Sequence, residues 1–496
     1  MTNLQSLDFY WPELILTGVI VLAIILDLLL DKKDSGKVGW VLILGLITVA
    51  LAIYIQDGSK TTTLFMDSIV LDPFASFFKM LVILATIFVS VVSWQIGDLA
   101  EYRKGEYFTL LGIIVLGLFL MVSAVDLVMV YLSIEVVSIM SFILAGYLKQ
   151  NTRSNEAGLK YVVYGAFSSG IMLFGISILY GLAGSTNYFE VQQAVVNLDE
   201  TANAALVMAL VMILAGFGYK VSAVPFHFWT PDVYEGAPIT ITAYLSVAPK
   251  AGALAMMIRF FNQVLADGGA MTGIEVSMTN MPWPEILALL AVITMSLGNL
   301  VAIQQNNLKR MLAYSSIAHA GYMLLALPVM STQGVYAVMI YLVMYLFMNL
   351  GAFFVVIAVK NKTGGETFDD YRGLGWEMPL VGVVMTIFMV SLTGLPPTAG
   401  FIGKFYIFAA LVKGGPQFYY LVILAGINSV VSLYYYLRVV KVMFLEGERS
   451  ETILQPPAVM MGMLLLTAIP TVLFGIYWSP IANWIQHSLT FFIQTI

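Results

Sequence analysis

Apolar stretches of about twenty residues recur along the whole chain, separated by short polar connections. As an α-helix, a stretch of this length crosses roughly 30 Å of hydrocarbon. The pattern predicts about fourteen spans, at 10–30, 37–55, 74–97, 107–124, 126–148, 157–183, 203–229, 237–263, 284–304, 309–330, 335–359, 379–413, 417–444 and 458–478. Because the first stretch is full length and lacks a small-residue cleavage site, we expect it to be retained. The sequence predicts an all-α integral membrane protein.

Basic residues alternate from one connection to the next. One set of connections contains Lys32, Lys33, Lys37, Arg103, Lys104, Lys149, Arg153, Lys309, Arg310, Lys360, Lys362, Arg372, Arg438, Lys441 and Arg449. The other set contains almost only Lys60 and Lys413. By the positive-inside rule, the first set faces the cytoplasm, and an even number of spans places both termini on the periplasmic side.

The composition narrows the function classes. Of the 496 residues, 60% are hydrophobic and 10% are charged, whereas a soluble domain is about 25% charged. The chain has no cysteine, which excludes iron–sulfur ligation, thiolate zinc sites and disulfides. Its three histidines, His227, His319 and His487, lie far apart and do not share a helix at metal-binding spacing. We therefore expect no cofactor and no metal in this chain.

Four charged residues fall deep within predicted spans: Glu135, Lys220, Lys250 and Lys404. Inserting one such charge at the centre of a membrane helix costs roughly 2.5–3.5 kcal/mol, so four cost about 10–14 kcal/mol. A purely structural protein is not expected to retain that cost, and intramembrane charges are typical of ion pathways.

These buried charges have two interpretations. In the first, Glu135 and Lys220 form a static ion pair between helices. In the second, protons move through the row, because Lys250 and Lys404 have no obvious carboxylate of similar depth. Desolvation would favour the neutral amine of such a lysine, which could then accept and release protons. Candidate bridging hydroxyls are Tyr164, Ser168, Ser315 and Ser316.

Two features near the ends of spans are less specific. Lys160 lies close to the cytoplasmic end of its span, so it is either part of the route or a lysine that extends to the aqueous boundary. The tail after Pro480 has apolar residues at helical spacing, namely Ile481, Trp484, Ile485, Leu489 and Phe492. This tail is predicted to be either a short interfacial helix with aromatic anchors or a frayed end.

Two lysine-bearing spans are interrupted by proline. Lys220 precedes the segment 221–225, which ends at Pro225, and Lys404 follows the segment 394–400, GLPPTAG. Proline removes backbone donors, which at membrane depth is tolerated only against protein or a water-filled cavity. The two spans run in opposite directions, as expected of two inverted repeats that each contain a broken helix. We place these repeats at 107–263 and 284–444, between N-terminal helices at 1–106 and a last span with its tail at 458–496.

The residues between Lys220 and Lys250 also carry a family resemblance. The segments 225–238, PFHFWTPDVYEGAP, and 246–250, SVAPK, resemble the antiporter-like subunit N family of proton-pumping NADH:quinone oxidoreductase, respiratory complex I. Supporting segments are 307–319, NLKRMLAYSSIAH, 371–374, YRGL, and 394–404. The resemblance covers essentially the whole chain.

The resemblance implies about fourteen helices with two inverted five-helix repeats, in a subunit that moves protons while partners pass electrons from NADH to quinone. It implies that Glu135 and Lys220 form a pair, that Lys250 is a central connector and that Lys404 is a distal titrating site, with Lys160 at an early position. FMN, iron–sulfur clusters and quinone are expected in partner subunits. The expected partners are other membrane subunits and the lipid of a bacterial plasma membrane, with no nucleic acid.

Two other function classes remain open. The chain could be a cation/proton antiporter, either acting alone or as the D-type subunit of a multisubunit complex. Alternatively, it could be a scaffold whose buried charges are static. Ion exchange by the isolated chain would indicate the first, and unchanged pumping after Lys220→Ala would indicate the second.

Overall fold

A computed structural model describes residues 2–56, 61–99, 102–198, 202–265, 283–329, 331–447 and 453–494, with side chains up to residue 489. The N-terminal helices are α1 (Asn3–Leu7), α2 (Trp11–Leu29), α3 (Val38–Gln56) and α4 (Pro73–Ser93). Between α3 and α4, strands β1 (Thr62–Leu64) and β2 (Ile69–Leu71) form an antiparallel hairpin. Lys60, the connection at 266–282 and Arg449 lie outside the described residues.

The remaining helices fall into two series, one on either side of the connection at 266–282. The first series is α5 (Lys104–Ser123), α6 (Leu127–Ala145), α7 (Thr152–Ala183), α8 (Tyr188–Val196), α9 (Asn203–Val221), α10 (Trp229–Gly236) and α11 (Ile239–Val264). The second is α12 (Trp283–Ile303), α13 (Leu308–Leu324), α14 (Thr332–Thr363), α15 (Leu374–Glu377), α16 (Pro379–Thr393), α17 (Ala399–Lys413), α18 (Tyr419–Leu445), α19 (Ala458–Ile476) and α20 (Ser479–Gln494). Short 3₁₀ helices lie at Ser35–Lys37, Gly97–Leu99, Phe368–Tyr371 and Pro416–Phe418.

The described helices confirm an all-α membrane protein. Among them, twelve are long and apolar enough to cross a membrane, or up to thirteen if a bent pair is counted as one span. Two of the predicted spans explain the difference from fourteen. The span at 309–330 is the shorter helix α13, of 17 residues, and the span at 379–413 is divided into α16 and α17, of 15 residues each.

Two long helices, α11 and α14, form the centre of the bundle. In the apolar stretch of each of these helices, 100% of the residues are buried, compared with 33% in peripheral helices such as α2 and α19. The two central helices pack against each other, and α11 also packs against α4 and α5. Because Lys250 lies on α11, its side chain begins at the centre of the protein rather than at the lipid surface.

Both predicted interruptions are confirmed. Helix α9 ends at Val221, where Ser222 has left-handed backbone angles with φ 65°, and the chain becomes helical again only at α10. Helix α16 ends where Gly394 has φ 89°, and α17 begins five residues later. Pro225 and Pro396 lie inside these breaks and cannot donate a backbone hydrogen bond. Each break therefore lies close to one of the predicted lysines.

The segment between the predicted spans 157–183 and 203–229 contains the helix α8, which was not predicted from the sequence. Its N-terminus is capped by Asn187, whose Oδ1 accepts hydrogen bonds from the backbone N–H groups of Phe189 at 2.9 Å and Glu190 at 3.4 Å. Helix α8 packs against α11 and α7. An asparagine before an apolar run is a recognised signal for a helix start, and it was available in the sequence.

The predicted C-terminal helix is present as α20, but its described apolar face packs on protein. The Trp484 ring lies 4.6 Å from the Phe77 ring of α4, and Ile485 and Leu489 are buried. The side chain of Phe492 lies outside the described residues. One face of this helix therefore packs on the apolar surface that α4 and α14 offer, and an interfacial position of the tail stays a prediction.

Candidate functional site

Lys220 lies one residue before the end of α9, at the first break. Its side chain is buried, and its Nζ has no hydrogen-bond partner among the described residues. The centroid of the Tyr219 ring lies 5.8 Å from Nζ. An ammonium in this position is in direct contact with no carboxylate of the described chain, and the end of α9 leaves C-terminal carbonyl groups without helical partners close to it.

Glu135 lies on α6 and is half-buried, and its Oε1 has no hydrogen-bond partner in the part of the chain that the structure describes. Its charge is close enough to act on Lys220. However, no ion pair within 4.0 Å joins the two side chains in the described part of the chain. Helix α7 packs against both α6 and α9. The structure therefore brings Glu135 and Lys220 near each other but not into the contact that a static ion pair requires.

Lys250 is almost completely buried on α11 and donates two hydrogen bonds to one residue. Its Nζ lies 2.7 Å from Oγ of Ser316 and 3.0 Å from the carbonyl oxygen of Ser316. The same Oγ accepts a hydrogen bond from the hydroxyl of Tyr345 at 2.9 Å. Ser316 was predicted as a bridging hydroxyl, and the structure places it next to Lys250.

His319 lies one turn further along α13 and connects two tyrosines. Its Nδ1 lies 2.7 Å from the hydroxyl of Tyr341, and its Nε2 lies 3.0 Å from the hydroxyl of Tyr436. The Tyr436 hydroxyl is also 2.5 Å from Oγ of Ser315. The His319 ring lies 5.1 Å from the Tyr345 ring, so this cluster directly follows the group around Lys250.

Lys404 lies on α17 and reaches back across the second break. Its Nζ donates to the carbonyl oxygen of Thr393, the last residue of α16, at 2.8 Å, and to Oγ of Ser429 at 3.1 Å. The same Nζ lies over the ring of Tyr322, 4.4 Å from the centroid. Ser429 also donates to the Tyr322 hydroxyl at 3.3 Å. The ammonium of Lys404 therefore contacts a carbonyl, a hydroxyl and an aromatic face, and the last two are joined by a hydrogen bond.

The tyrosines around His319 were not predicted, although the sequence contained a signal for them. Ser315, Ser316, His319 and Tyr322 follow one another at spacings of one, three and three residues, which places most of them on one side of α13. A polar stripe on a membrane helix indicates a polar interior surface. Which tyrosines of other helices face that stripe depends on helix packing, which the sequence pattern does not specify.

The buried lysines of the described chain form two groups. Lys79 is paired with Glu13 at 2.6 Å, and Lys309 lies 3.5 Å from Glu366. In contrast, no carboxylate lies within 4.0 Å of the ammonium groups of the second group. That second group consists of Lys220, Lys250 and Lys404. The second group was predicted from the sequence, whereas Lys79, whose partner lies 66 residues away, was not.

Lys160 belongs to neither group. Its side chain is 36% exposed, and its Nζ lies 2.6 Å from both Glu156 and Asp232. Asp232 also accepts from Arg310 at 2.7 Å. Burial raises the pKa of Asp232, but the bonds from Lys160 and Arg310 outweigh burial and hold this pKa below its ordinary value. Tyr164, a predicted bridging hydroxyl, is also exposed, so the structure does not bring these residues into the buried row.

The amino-acid sequence of this chain is similar to those of known membrane proteins. Residues 124–432 match the family described as NADH:quinone oxidoreductase/Mrp antiporter, transmembrane. Subunit N 2 of NADH-quinone oxidoreductase from Chloroherpeton thalassium is 45% identical, over 96% of this chain and 93% of the relative. Subunit N from Anaeromyxobacter sp. is 42% identical, over 99% and 98%. This chain belongs to the subunit N family of NADH-quinone oxidoreductases.

Solved structures related to the subunit N family share its fold. A chain of respiratory complex I from Thermus thermophilus has a TM-score of 0.78 and 28% identity, covering 95% of this chain and 98% of that one. A chain of the Mrp complex from Dietzia sp. has a TM-score of 0.83 at 18% identity, covering 100% and 99%. The second likeness shows the fold alone, whereas the curated relatives favour the subunit N family over the antiporter subunits.

Proposed function

We propose that this chain is a proton-translocating membrane-arm subunit of an NADH:quinone oxidoreductase, a translocase driven by electron transfer in partner subunits. FMN, iron–sulfur clusters and quinone would reside in those partners, and this chain would contain no redox centre. Protons would move through Glu135, Lys220, Lys250 and Lys404. The observation that carries the proposal is the set of three buried lysines whose ammonium groups have no carboxylate within 4.0 Å among the residues that the structure describes.

The contrast with the paired lysines supports this role. An uncompensated buried charge costs several kcal/mol, and a static role is served at lower cost by a paired charge such as Lys79 or by an apolar residue. Lys250 and Lys404 instead contact hydroxyl and carbonyl groups. Such groups can hold either an ammonium, as acceptors, or a neutral amine, with hydroxyl donors. Both protonation states can therefore be accommodated, as proton transfer requires.

The polar groups between Lys250 and Lys404 provide a candidate path. Contacts link Lys250 to Ser316 and Tyr345, then to His319 with its partners Tyr341 and Tyr436, and then to Tyr322 beside Lys404, on helices α13, α14 and α18. A hydroxyl or an imidazole can donate one proton while accepting another. We extend the proposal to the repeats at 107–263 and 284–444, with Lys160 at the entry and both termini on the periplasmic side of a bacterial plasma membrane.

The test measures protons moved for each NADH oxidised by the purified complex in sealed vesicles. We expect Lys250→Met to lower this ratio, because Met fills a similar volume but cannot carry a proton. Lys32→Met, which removes an exposed lysine, should leave the ratio unchanged. A normal ratio in a fully assembled Lys250→Met complex would contradict the proposal and support a static scaffold.

A stand-alone or D-type cation/proton antiporter is the second candidate, because the family matched by residues 124–432 includes the Mrp antiporter as well as NADH:quinone oxidoreductase. In that case, the purified chain or its antiporter complex would exchange cations for protons in vesicles without NADH. Exchange by the chain alone, abolished by Lys250→Met, would replace the first proposal with the second.

A further inference from the structure

A groove opens along the C-terminal half of α18, at the end of the bundle where the predicted cytoplasmic basic residues collect. Its volume is about 850 Å³. Its upper wall, the part toward the middle of α18, is apolar and exposed. This wall is formed by Val430, Tyr434 and Leu437, at spacings of four and three residues. These residues therefore form one stripe on the outer face of the helix. We call this cavity the α18 groove.

Three cations line the lower end of the α18 groove, which is the end toward the C-terminus of α18 and adjoins this stripe. They are Arg372, Arg438 and Lys441, accompanied by the acids Asp369 and Glu446. The exposed side chains of Arg372 and Lys441 contact these acids at 2.9 Å in each case. Exposed ion pairs of this kind contribute little stability, so a stronger anion can replace the carboxylates.

Arg438 is the cation without a carboxylate partner within 4.0 Å in the described chain. Its guanidinium donates to the carbonyl oxygens of Ile303, the last residue of α12, and Gln305, and to Oδ1 of Asn306. It also lies 4.2 Å from the centroid of the Phe368 ring. These contacts fix its position but do not neutralise it, so the lower end of the groove keeps one net positive charge.

We propose that the α18 groove binds an anionic phospholipid. The phosphate would lie between Arg372, Arg438 and Lys441, and the acyl chains would follow the stripe on α18. A free phosphate ion would use only the lower end, whereas the exposed apolar stripe directly above the cations fits a molecule with both a phosphate and hydrocarbon. Basic pockets beside membrane helices on the cytoplasmic side are suited to such headgroups.

The test counts phospholipids retained by the purified membrane complex, using native mass spectrometry after exchange into phosphatidylglycerol or phosphatidylcholine micelles. We expect selective retention of phosphatidylglycerol. The double variant Arg372→Gln/Lys441→Gln should weaken it by about 25-fold, since each basic residue contributes about fivefold. Arg438 stays unchanged because it also holds the end of α12. The matched control is Lys32→Gln/Lys33→Gln, which removes two exposed lysines elsewhere.

Two further measurements identify the occupant. Val430→Trp should fill the apolar wall and reduce phosphatidylglycerol retention. Inorganic phosphate at about 10 mM, which would saturate a site that binds phosphate alone with a Kd of about 1 mM, should not displace the lipid. Equal retention by the double variant and its control would overturn the proposal. Displacement by inorganic phosphate would also overturn it, as would cross-linking of Lys441→Cys to a neighbouring subunit instead of to lipid.

Discussion

The fully buried ion pair between Asp72 and Arg259 connects the N-terminal helices to the central helix α11. The two guanidinium nitrogens lie 2.8 and 3.0 Å from the two carboxylate oxygens, and the side chains are 1% and 0% exposed. Asp72 also accepts the backbone N–H of Ala75 at 2.7 Å and so caps α4. Asp72→Asn would keep a capping oxygen but remove the charge that compensates Arg259.

We expect Asp72→Asn to destabilise the folded chain by about 3–5 kcal/mol, the cost of leaving one partner of a buried ion pair uncompensated. The control is Asp34→Asn, which breaks the exposed pair between Asp34 and Lys37, where the side chains are 50% and 68% exposed. That pair contributes at most about 1 kcal/mol. The double variant Asp72→Asn/Arg259→Met should recover most of the stability, because it leaves no buried charge.

Unfolding of the detergent-solubilised chain, titrated with a denaturing detergent and followed by tryptophan fluorescence, measures these differences. Equal lowering of the unfolding midpoint by Asp72→Asn and Asp34→Asn would contradict the large cost expected for an uncompensated Arg259 charge. A double variant less stable than Asp72→Asn would show that the two residues do not act as a pair.

Two further predictions concern the second break and the charged end of the bundle. Gly400→Ala should reduce the yield of folded chain, because the added Cβ would collide with the carbonyl oxygen of Ser391. The control is Gly426→Ala, where the added Cβ meets open space and the yield should not change. Size-exclusion chromatography of the solubilised chain measures both yields. Because the pKa of Asp232 is held below its ordinary value, its pairing with Lys160 should stabilise the chain at neutral pH and lose this effect as the pH falls below about 4. Unfolding midpoints at several pH values should show a smaller acid-induced loss for Asp232→Asn.

The breaks in α9 and α16 could be predicted because their causes are local. A proline lacks the backbone donor wherever the helix is packed, and Gly394 accepts left-handed backbone angles at low cost. The shorter helix α13 was predicted as a full span, because hydropathy describes the segment as apolar but does not fix where the helical hydrogen bonds end. Docking of α20 against α4 was also missed, since an apolar face looks the same in sequence whether protein or lipid covers it.

For the candidate site, membrane depth could be predicted for Glu135, Lys220, Lys250 and Lys404, because span length and residue position along a helix give an expected depth directly. Which buried charges are paired could be read only from the packed helices. Lys79 has a carboxylate partner and Lys250 has a serine. Pairing depends on which helix faces join, and those faces are chosen by packing between segments that are far apart in the chain.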